Sequence, residues 1–201
     1  MTTASLIVPG DSLRERKKAA TRTALHAAAL RLAVERGFAE VTVEAIADAA
    51  DVSRRTFSNY FANKEDALLY GDRSRSAALL AQLRERPTSE SPWQALRASA
   101  LALYLEEPAP EPEWVAQLRL VRQHPALVAQ QVGFLAALEQ DLAAELVRRP
   151  GGPSALAARV MVASFLAAIR CAVNVWLEQQ SDRELADLIR DALVQVAEPF
   201  R

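Results

Sequence analysis

The chain has 201 residues, 51% of them apolar, and sets 24 Lys and Arg against 25 Asp and Glu for a formal net charge of −1. That length allows one large domain or two small ones, and the near-neutral balance excludes binding of a polyanion by bulk charge, so placement of charge matters more than its sum. The lone cysteine, Cys171, excludes an intramolecular disulfide, and a composition led by Ala and Leu with only 6 Gly favours helix over sheet.

Residues 1–13 are polar, carry Pro9 and Gly10 and show no periodicity, which predicts a disordered arm. Met1 to Gly10 lacks the cationic and apolar segments of a signal peptide, and the longest apolar run, Val160 to Ile169, closed by Arg159 and Arg170, is short for a bilayer span. A cytoplasmic protein with no membrane partner is expected. The first helix is predicted from about Leu13 to Arg36, because Leu25, Ala28, Ala29, Leu32 and Ala33 form one stripe. Gly37 stands where a left-handed C-cap is wanted, with Phe38 as its hydrophobic contact.

Thr42 predicts the N-cap of a short second helix that buries Val43, Ile46, Ala47 and Ala50. Ser53 predicts the cap of a third, with Phe57, Tyr60 and Phe61 on its apolar face, and Asn63 the cap of a fourth running from Lys64 to about Arg86, where Pro87 stops it. Ser91-Pro92-Trp93-Gln94 reads as a capping box opening a helix to about Glu107. A proline-rich loop follows, then helices from about Glu113 to Gln123 and from Pro125 to near Arg149. Ser154 opens a long helix to about Gln180, and Ser181-Asp182-Arg183-Glu184 reads as a second capping box for a last helix ending near Glu198. The expected fold is all-α with about nine helices: a three-helix helix-turn-helix domain over residues 14–63 and a helical bundle for sensing and dimerisation over 64–201.

The segment from Val43 to Lys64 carries the sharpest signal. A helix-turn-helix needs a small residue where its helices cross, supplied by Ala47, and four positions later a residue tolerant of positive φ, where Asp51 stands. Val52 tucks under the turn, and Phe57 and Phe61 pin the second helix to the core. Arg54, Arg55, Ser58 and Asn59 remain on its outer face, all able to hydrogen-bond base edges in a major groove. Thr42, Ser53, Thr56, Tyr60 and Lys64 flank that face as phosphate-contact candidates, Lys64 together with the amides that open the fourth helix. The basic cluster Arg14, Arg16, Lys17 and Lys18 would reach the DNA backbone or a minor groove. A helical hairpin with a solvated polar face is the alternative, and it does not account for apolar residues at each required site beside an Arg-rich outer face.

From about Arg16 to Leu69 the chain resembles the DNA-binding domain of the TetR family of regulators, most closely in TVEAIADAADVSRRTFSNYFANKEDALL, Thr42 to Leu69. The family usually has Gly where this chain has Asp51, often an aromatic at Ser58 and His at Asn59, so the resemblance implies the fold but no operator sequence. It also implies a homodimer through the last two helices and a ligand cavity among the middle ones. The C-terminal part has a fold-level likeness to TetR-type regulators that sense acyl-coenzyme A-like ligands.

Beyond Pro92 the pattern is less specific. The helix from Ser154 is apolar on more than one face, through Leu156, Val160, Ala163, Leu166, Ala167, Val173 and Trp176, which suits a subunit interface. Trp114, Arg119, Arg122, Phe134, Arg170, Asn174 and Trp176 are the candidates for a cavity wall, with Arg170 or Asn174 as a polar anchor. The expected function is a transcriptional regulator released from double-stranded operator DNA by a small apolar or amphipathic effector. The alternatives are a dimeric DNA-binding regulator with no effector and a helical-bundle enzyme. The enzyme reading lacks support: His26, His124 and Cys171 are far apart, no metal-ligand pair sits at helical spacing, and no phosphate loop or nucleophile elbow appears. No cofactor or metal is expected.

Overall fold

The computed structural model describes residues 13–105, 112–179 and 183–197. These form α1 (Leu13–Arg36), a 3₁₀ turn (Phe38–Glu40), α2 (Val43–Ala49), α3 (Arg54–Ser58), α4 (Lys64–Leu68), α5 (Tyr70–Glu85), α6 (Pro92–Leu105), α7 (Pro112–Gln123), α8 (Pro125–Arg148), α9 (Ala155–Gln179) and α10 (Leu185–Gln195). Among the described residues there is no strand, and the all-α expectation holds. The chain divides into two compact units after Tyr70.

In the first unit α1 packs on α2 and α4, and α2 on α3. Leu25, Ile46, Phe57 and Leu68 are its largest fully buried side chains. Caps set the short helices. Thr42 Oγ1 accepts from Ala45 N at 3.1 Å, Ser53 Oγ from Thr56 N at 3.0 Å and Asn63 Oδ1 from Asp66 N at 2.7 Å. Asp51 takes the positive φ the turn demands, at 53°, the one non-glycine to do so among the described residues. Gly37 departs from expectation: its φ of 85° comes with ψ of 139°, outside the left-handed helical region, so the chain leaves α1 extended into the 3₁₀ turn and buries Phe38. His26 Nδ1 donates to Ala67 O at 2.9 Å, tying α1 to α4.

In the second unit α9 packs on α8 and α10, α10 on α6, and α7 on α8. Leu83, Leu96, Leu142, Leu146, Phe165 and Ile189 are fully buried, and Trp93 meets Phe165 edge-on at 6.2 Å. The Ser91 box forms as expected: Gln94 Oε1 accepts from Ser91 N at 2.9 Å and Ser91 Oγ from Gln94 N at 3.3 Å. Arg149, buried at 8% exposure, donates to the carbonyls of Leu83, Arg86 and Pro87 and so caps the end of α5.

Several expectations change, and one falls outside the described residues. The fourth helix is broken at Leu69 (φ −85°, ψ 6°), which divides it into α4 and α5 and brings the described α-helices to ten. The unit boundary follows Tyr70 rather than residue 63, because α4 packs on α1 and buries Ala67, Leu68 and Leu69 in the first core. The last helix begins at Leu185 with Glu184 in the cap position and no side-chain cap bond, and its described part ends at Gln195; Ser181 and Asp182 lie outside the described residues. The predicted arm also lies outside them except for Leu13, which is the first residue of α1. Finally, Ala155–Glu178 is long and apolar enough to cross a bilayer, with mean hydropathy 1.9, so the reading from the shorter run Val160–Ile169 missed its reach. One face of it packs on α8 and α10 in the second core.

Candidate nucleic-acid interface and small-molecule cavity

The first unit presents Arg54, Arg55, Ser58 and Asn59 to solvent along α3 and its C-cap. Phe57 and Phe61 lie beneath, with ring centroids 5.8 Å apart, and they orient the outer face by anchoring the inner one. Beside this face a cleft of about 690 Å³ is lined by Arg14, Lys17, Lys18, Thr56, Asn59 and Tyr60. The fold thus brings the basic start of α1 against the recognition segment, some forty residues away in sequence. Arg16 is exposed but outside that cleft. Arg22 stacks over the Tyr60 ring at 5.6 Å and steadies it. Arg54 is held by Glu44 at 3.0 Å in an exposed ion pair, a contact worth little in water and easily exchanged for another acceptor.

Two phosphate-contact candidates are otherwise engaged. Lys64 Nζ donates to the carbonyls of Phe38 (2.9 Å), Ala39 (3.2 Å) and Val41 (2.8 Å) and lies 4.5 Å from the Phe38 ring centroid. An ammonium has three protons, and all three are used here, so Lys64 is a clasp on the segment between α1 and α2 rather than an open phosphate donor. Of the amides opening α4, that of Asp66 is taken by the Asn63 cap at 2.7 Å, while Asp66 Oδ2 accepts from Ala62 N at 3.2 Å. Ser53 Oγ accepts its cap bond and shares a hydrogen bond with the Thr56 hydroxyl at 2.8 Å, in which either oxygen can donate, so this pair keeps one hydroxyl proton between them to give. Thr42 uses only a lone pair for its cap, which leaves the hydroxyl proton to give.

The second unit contains a cavity of about 560 Å³ walled by α5 to α9. Trp114, Arg122, Phe134, Arg170 and Asn174 line it, as the sequence led us to expect of them. Arg119 and Trp176 do not: Arg119 is exposed on the outer side of α7, and Trp176 packs against the core. Arg170 is exposed and stands at the mouth with half-buried Asn174, while Arg122 is paired with Glu178 at 2.7 Å. Leu79, Leu103, Leu118, Leu135, Leu166 and Val173 give the wall its apolar surface.

Sequence reasoning missed the polar group deeper in this cavity. Asp72, half-buried with its open side on the cavity, accepts from Gln131 Nε2 at 3.1 Å. Burial pushes its carboxyl above the ordinary aspartate range, against the opposing help of Gln131, Trp114, Arg75 and Gln117. Burial likewise pushes the Tyr104 phenol up to about 12, so it stays a neutral hydroxyl. The Arg75 guanidinium stacks on the Trp114 ring at 4.6 Å. Arg75 Nε, Trp114 Nε1 and Gln117 Nε2 are buried and have no hydrogen-bond partner of ordinary geometry. The i, i+3 spacing of Asp72 and Arg75 on one helix face was the available signal, but an acidic–basic pair on a helix ordinarily faces water. Among the described residues no cluster of three His, Cys, Asp or Glu side chains is placed to hold a metal.

Comparison with known proteins gives a consistent family. The model for bacterial regulatory proteins of the tetR family matches residues 25–70, and that for the MftR C-terminal domain matches residues 90–201. The HTH-type transcriptional regulator TcmR of Streptomyces glaucescens is 32% identical over 199 residues, covering 94% of this chain and 88% of TcmR. Among solved structures, FadR of Thermus thermophilus, a TetR family transcriptional repressor crystallised in complex with lauroyl-CoA, has a TM-score of 0.61 and 26% identity over 90% of this chain and 95% of its own. The fatty acid degradation regulator FadR from Bacillus halodurans, at 19% identity and TM-score 0.56 over 90% of this chain and 96% of its own, shares the fold.

Proposed function

The chain belongs to the TetR family of bacterial regulatory proteins and is a DNA-binding transcriptional regulator; from that premise we propose that it is a cytoplasmic repressor released from operator DNA by a small apolar or amphipathic effector. Arg54, Arg55, Ser58 and Asn59 read base edges. Thr42, Thr56, Tyr60, Arg14, Arg16, Lys17 and Lys18 hold phosphates, and two copies joined through α9 and α10 present two such faces to a palindromic site. The cavity of about 560 Å³, with its apolar wall and few polar groups, carries the effector half of the reading. The lauroyl-CoA complex of the Thermus thermophilus relative supports a small amphipathic ligand in this fold.

Gating requires the effector to bind the DNA-incompetent arrangement more tightly, since only differential affinity shifts an equilibrium. Helix α5 is the element to carry it: its first residue, Tyr70, closes the first unit, and its Asp72, Arg75, Ser76 and Leu79 line the cavity. A ten-fold loss of operator affinity needs about 1.4 kcal/mol of coupling. The test is a thermal-shift ligand screen on the purified protein, followed by anisotropy titration of a duplex it selects from a random pool. A compound that raises the melting temperature is expected to weaken DNA binding at least ten-fold. Saturation of the cavity with unchanged DNA affinity would favour instead a regulator that does not answer to a ligand.

A further inference from the structure

Resting on the effector reading above, we propose that the cavity wall formed by Asp72, Arg75, Trp114 and Gln131 recognises an uncharged head group in which a hydroxyl donor stands beside a carbonyl acceptor, carried on an apolar body. The hydroxyl is met by the Asp72 carboxylate, and the carbonyl by the N–H groups of Arg75 and Trp114.

Three observations carry this. The wall holds donors that the folded chain satisfies poorly: Arg75 Nε and Trp114 Nε1 border the cavity without a hydrogen bond of ordinary geometry, Trp114 Nε1 facing Asp72 too loosely to complete one, although Trp114 is only 6% exposed. Burying such donors is costly unless a ligand or water completes them, and a carbonyl oxygen accepts two hydrogen bonds at once. Beside them Asp72 presents an acceptor, oriented by Gln131 at 3.1 Å. The wall therefore asks for an acceptor and a donor together. The third observation is charge. Asp72 and Arg75 carry opposite signs on one turn of α5 and offset each other, so a head with a full charge of either sign meets one attractive and one repulsive group and must give up its own hydration where Asp72 is already desolvated. A neutral head gives up far less hydration and can pair with both groups. The stacking of Arg75 on Trp114 at 4.6 Å holds the guanidinium in place before a ligand arrives, which lowers the ordering cost of binding.

The apolar wall of Leu79, Leu103, Leu118, Leu135 and Leu166 takes the body without specifying its shape, so head chemistry is tested on a body held constant. The probes are four ten-carbon compounds: 1-hydroxydecan-2-one, 1-decanol, decanoate and decanoyl-CoA. They are titrated calorimetrically into the full-length protein at pH 7.5. The hydroxyketone is expected to bind at least ten-fold tighter than decanoate and several-fold tighter than decanol. In Asp72→Asn its advantage over decanoate should shrink to about two-fold, and in Trp114→Phe, which keeps the ring and removes the N–H, its affinity should fall about five-fold while that of decanol changes less. Circular dichroism checks folding, and either variant suffices if the other fails to fold. Decanoate or decanoyl-CoA binding tighter than the hydroxyketone, or a preference untouched by both substitutions, overturns the head-group assignment and leaves the effector reading standing. Binding by none of the four overturns the occupied cavity itself, and the assignment falls with it.

Discussion

Lys64 shows how one side chain can be placed by its charge and used for its geometry. Its three bonds to Phe38, Ala39 and Val41 gather carbonyls at the 3₁₀ turn, and hydrogen bonds to a charged donor contribute more than neutral ones. Lys64→Ala is expected to destabilise the protein by about 2 kcal/mol in a urea titration, since water reaches part of this site and recovers some of the loss. A clasp and a phosphate contact differ in salt dependence. The slope of log K against log salt should stay unchanged in Lys64→Ala and fall by about 1 in Lys17→Ala; the reverse pattern would return Lys64 to the phosphate role. Asp72 gives the opposite case, a charge that folding disfavours. Its carboxyl pKa is raised by burial, more than Gln131, Trp114, Arg75 and Gln117 lower it. The folded state therefore binds this proton more tightly than the unfolded one, and stability falls as pH rises from the unfolded value of 3.8 through the raised folded value. Asp72→Asn should melt a few degrees higher than the parent at pH 7, with the difference vanishing below about pH 4. Equal melting temperatures at both pH values would remove the desolvated carboxylate from the account. The caps Thr42, Ser53 and Asn63 and the turn residue Asp51 were legible in the sequence because each acts within four residues of itself. The Lys64 clasp spans 23 to 26 residues and the Asp72–Gln131 bond 59, and no local pattern encodes either.

At the scale of elements, the ends of helices decide more than their interiors. The C-terminus of α5 would leave carbonyls unpaired where the second core is dense, and Arg149 reaches across from the end of α8 to satisfy Leu83, Arg86 and Pro87. Arg149→Ala is expected to cost about 2–4 kcal/mol, by orphaning buried acceptors and opening a cavity. Arg149→Lys should recover less than half, because an ammonium cannot reproduce the fork of a guanidinium. Chemical denaturation distinguishes these, and a neutral Arg149→Ala would mean that water serves the α5 end as well as the side chain does. The same joint explains Gly152: a Cβ there would lie 2.4 Å from Leu146 O and 2.9 Å from the carbonyls of Val147 and Arg149, so the turn between α8 and α9 needs a residue without a side chain. Periodicity revealed helix existence throughout, and Pro, Gly and capping residues revealed most limits. The break at Leu69 escaped because α4 and α5 form one continuous helical pattern, and the chain bends there so that Ala67 and Leu68 serve the first core. The cavity wall was half legible: large aromatics on middle helices announced Trp114 and Phe134, whereas the side that charged residues of α5 present cannot be told until the helices are placed.

For the whole molecule, α9 poses a problem that a single chain does not solve. It is apolar around most of its circumference, yet Leu156 is 74% exposed and Val160 49%, and Val194 on α10 is 45% exposed. Single exposed apolar residues are ordinary, but a run of them along helices at the end of a bundle marks a surface awaiting a partner. One recognition segment offers few base contacts, and a two-fold pair matches the symmetry of a palindromic operator. A second copy seated on α9 and α10, forming a four-helix seam, meets both needs. A stable seam buries roughly 1,200–2,000 Å², within reach of helices of 25 and 11 residues. Light scattering at micromolar concentration is expected to give twice the chain mass of 22.0 kDa. Leu156→Glu combined with Val160→Glu should shift the protein to the monomer, because two carboxylates per copy would have to enter an apolar seam. With the seam gone, operator affinity should fall at least 100-fold while the helical circular dichroism signal is kept, as each copy then holds one half-site. A parent protein that is monomeric with operator binding intact contradicts the dimer outright. A double variant that remains dimeric moves the seam to α8, where Val128 and Val132 are also exposed, and Val132→Glu then becomes the substitution that should separate the copies.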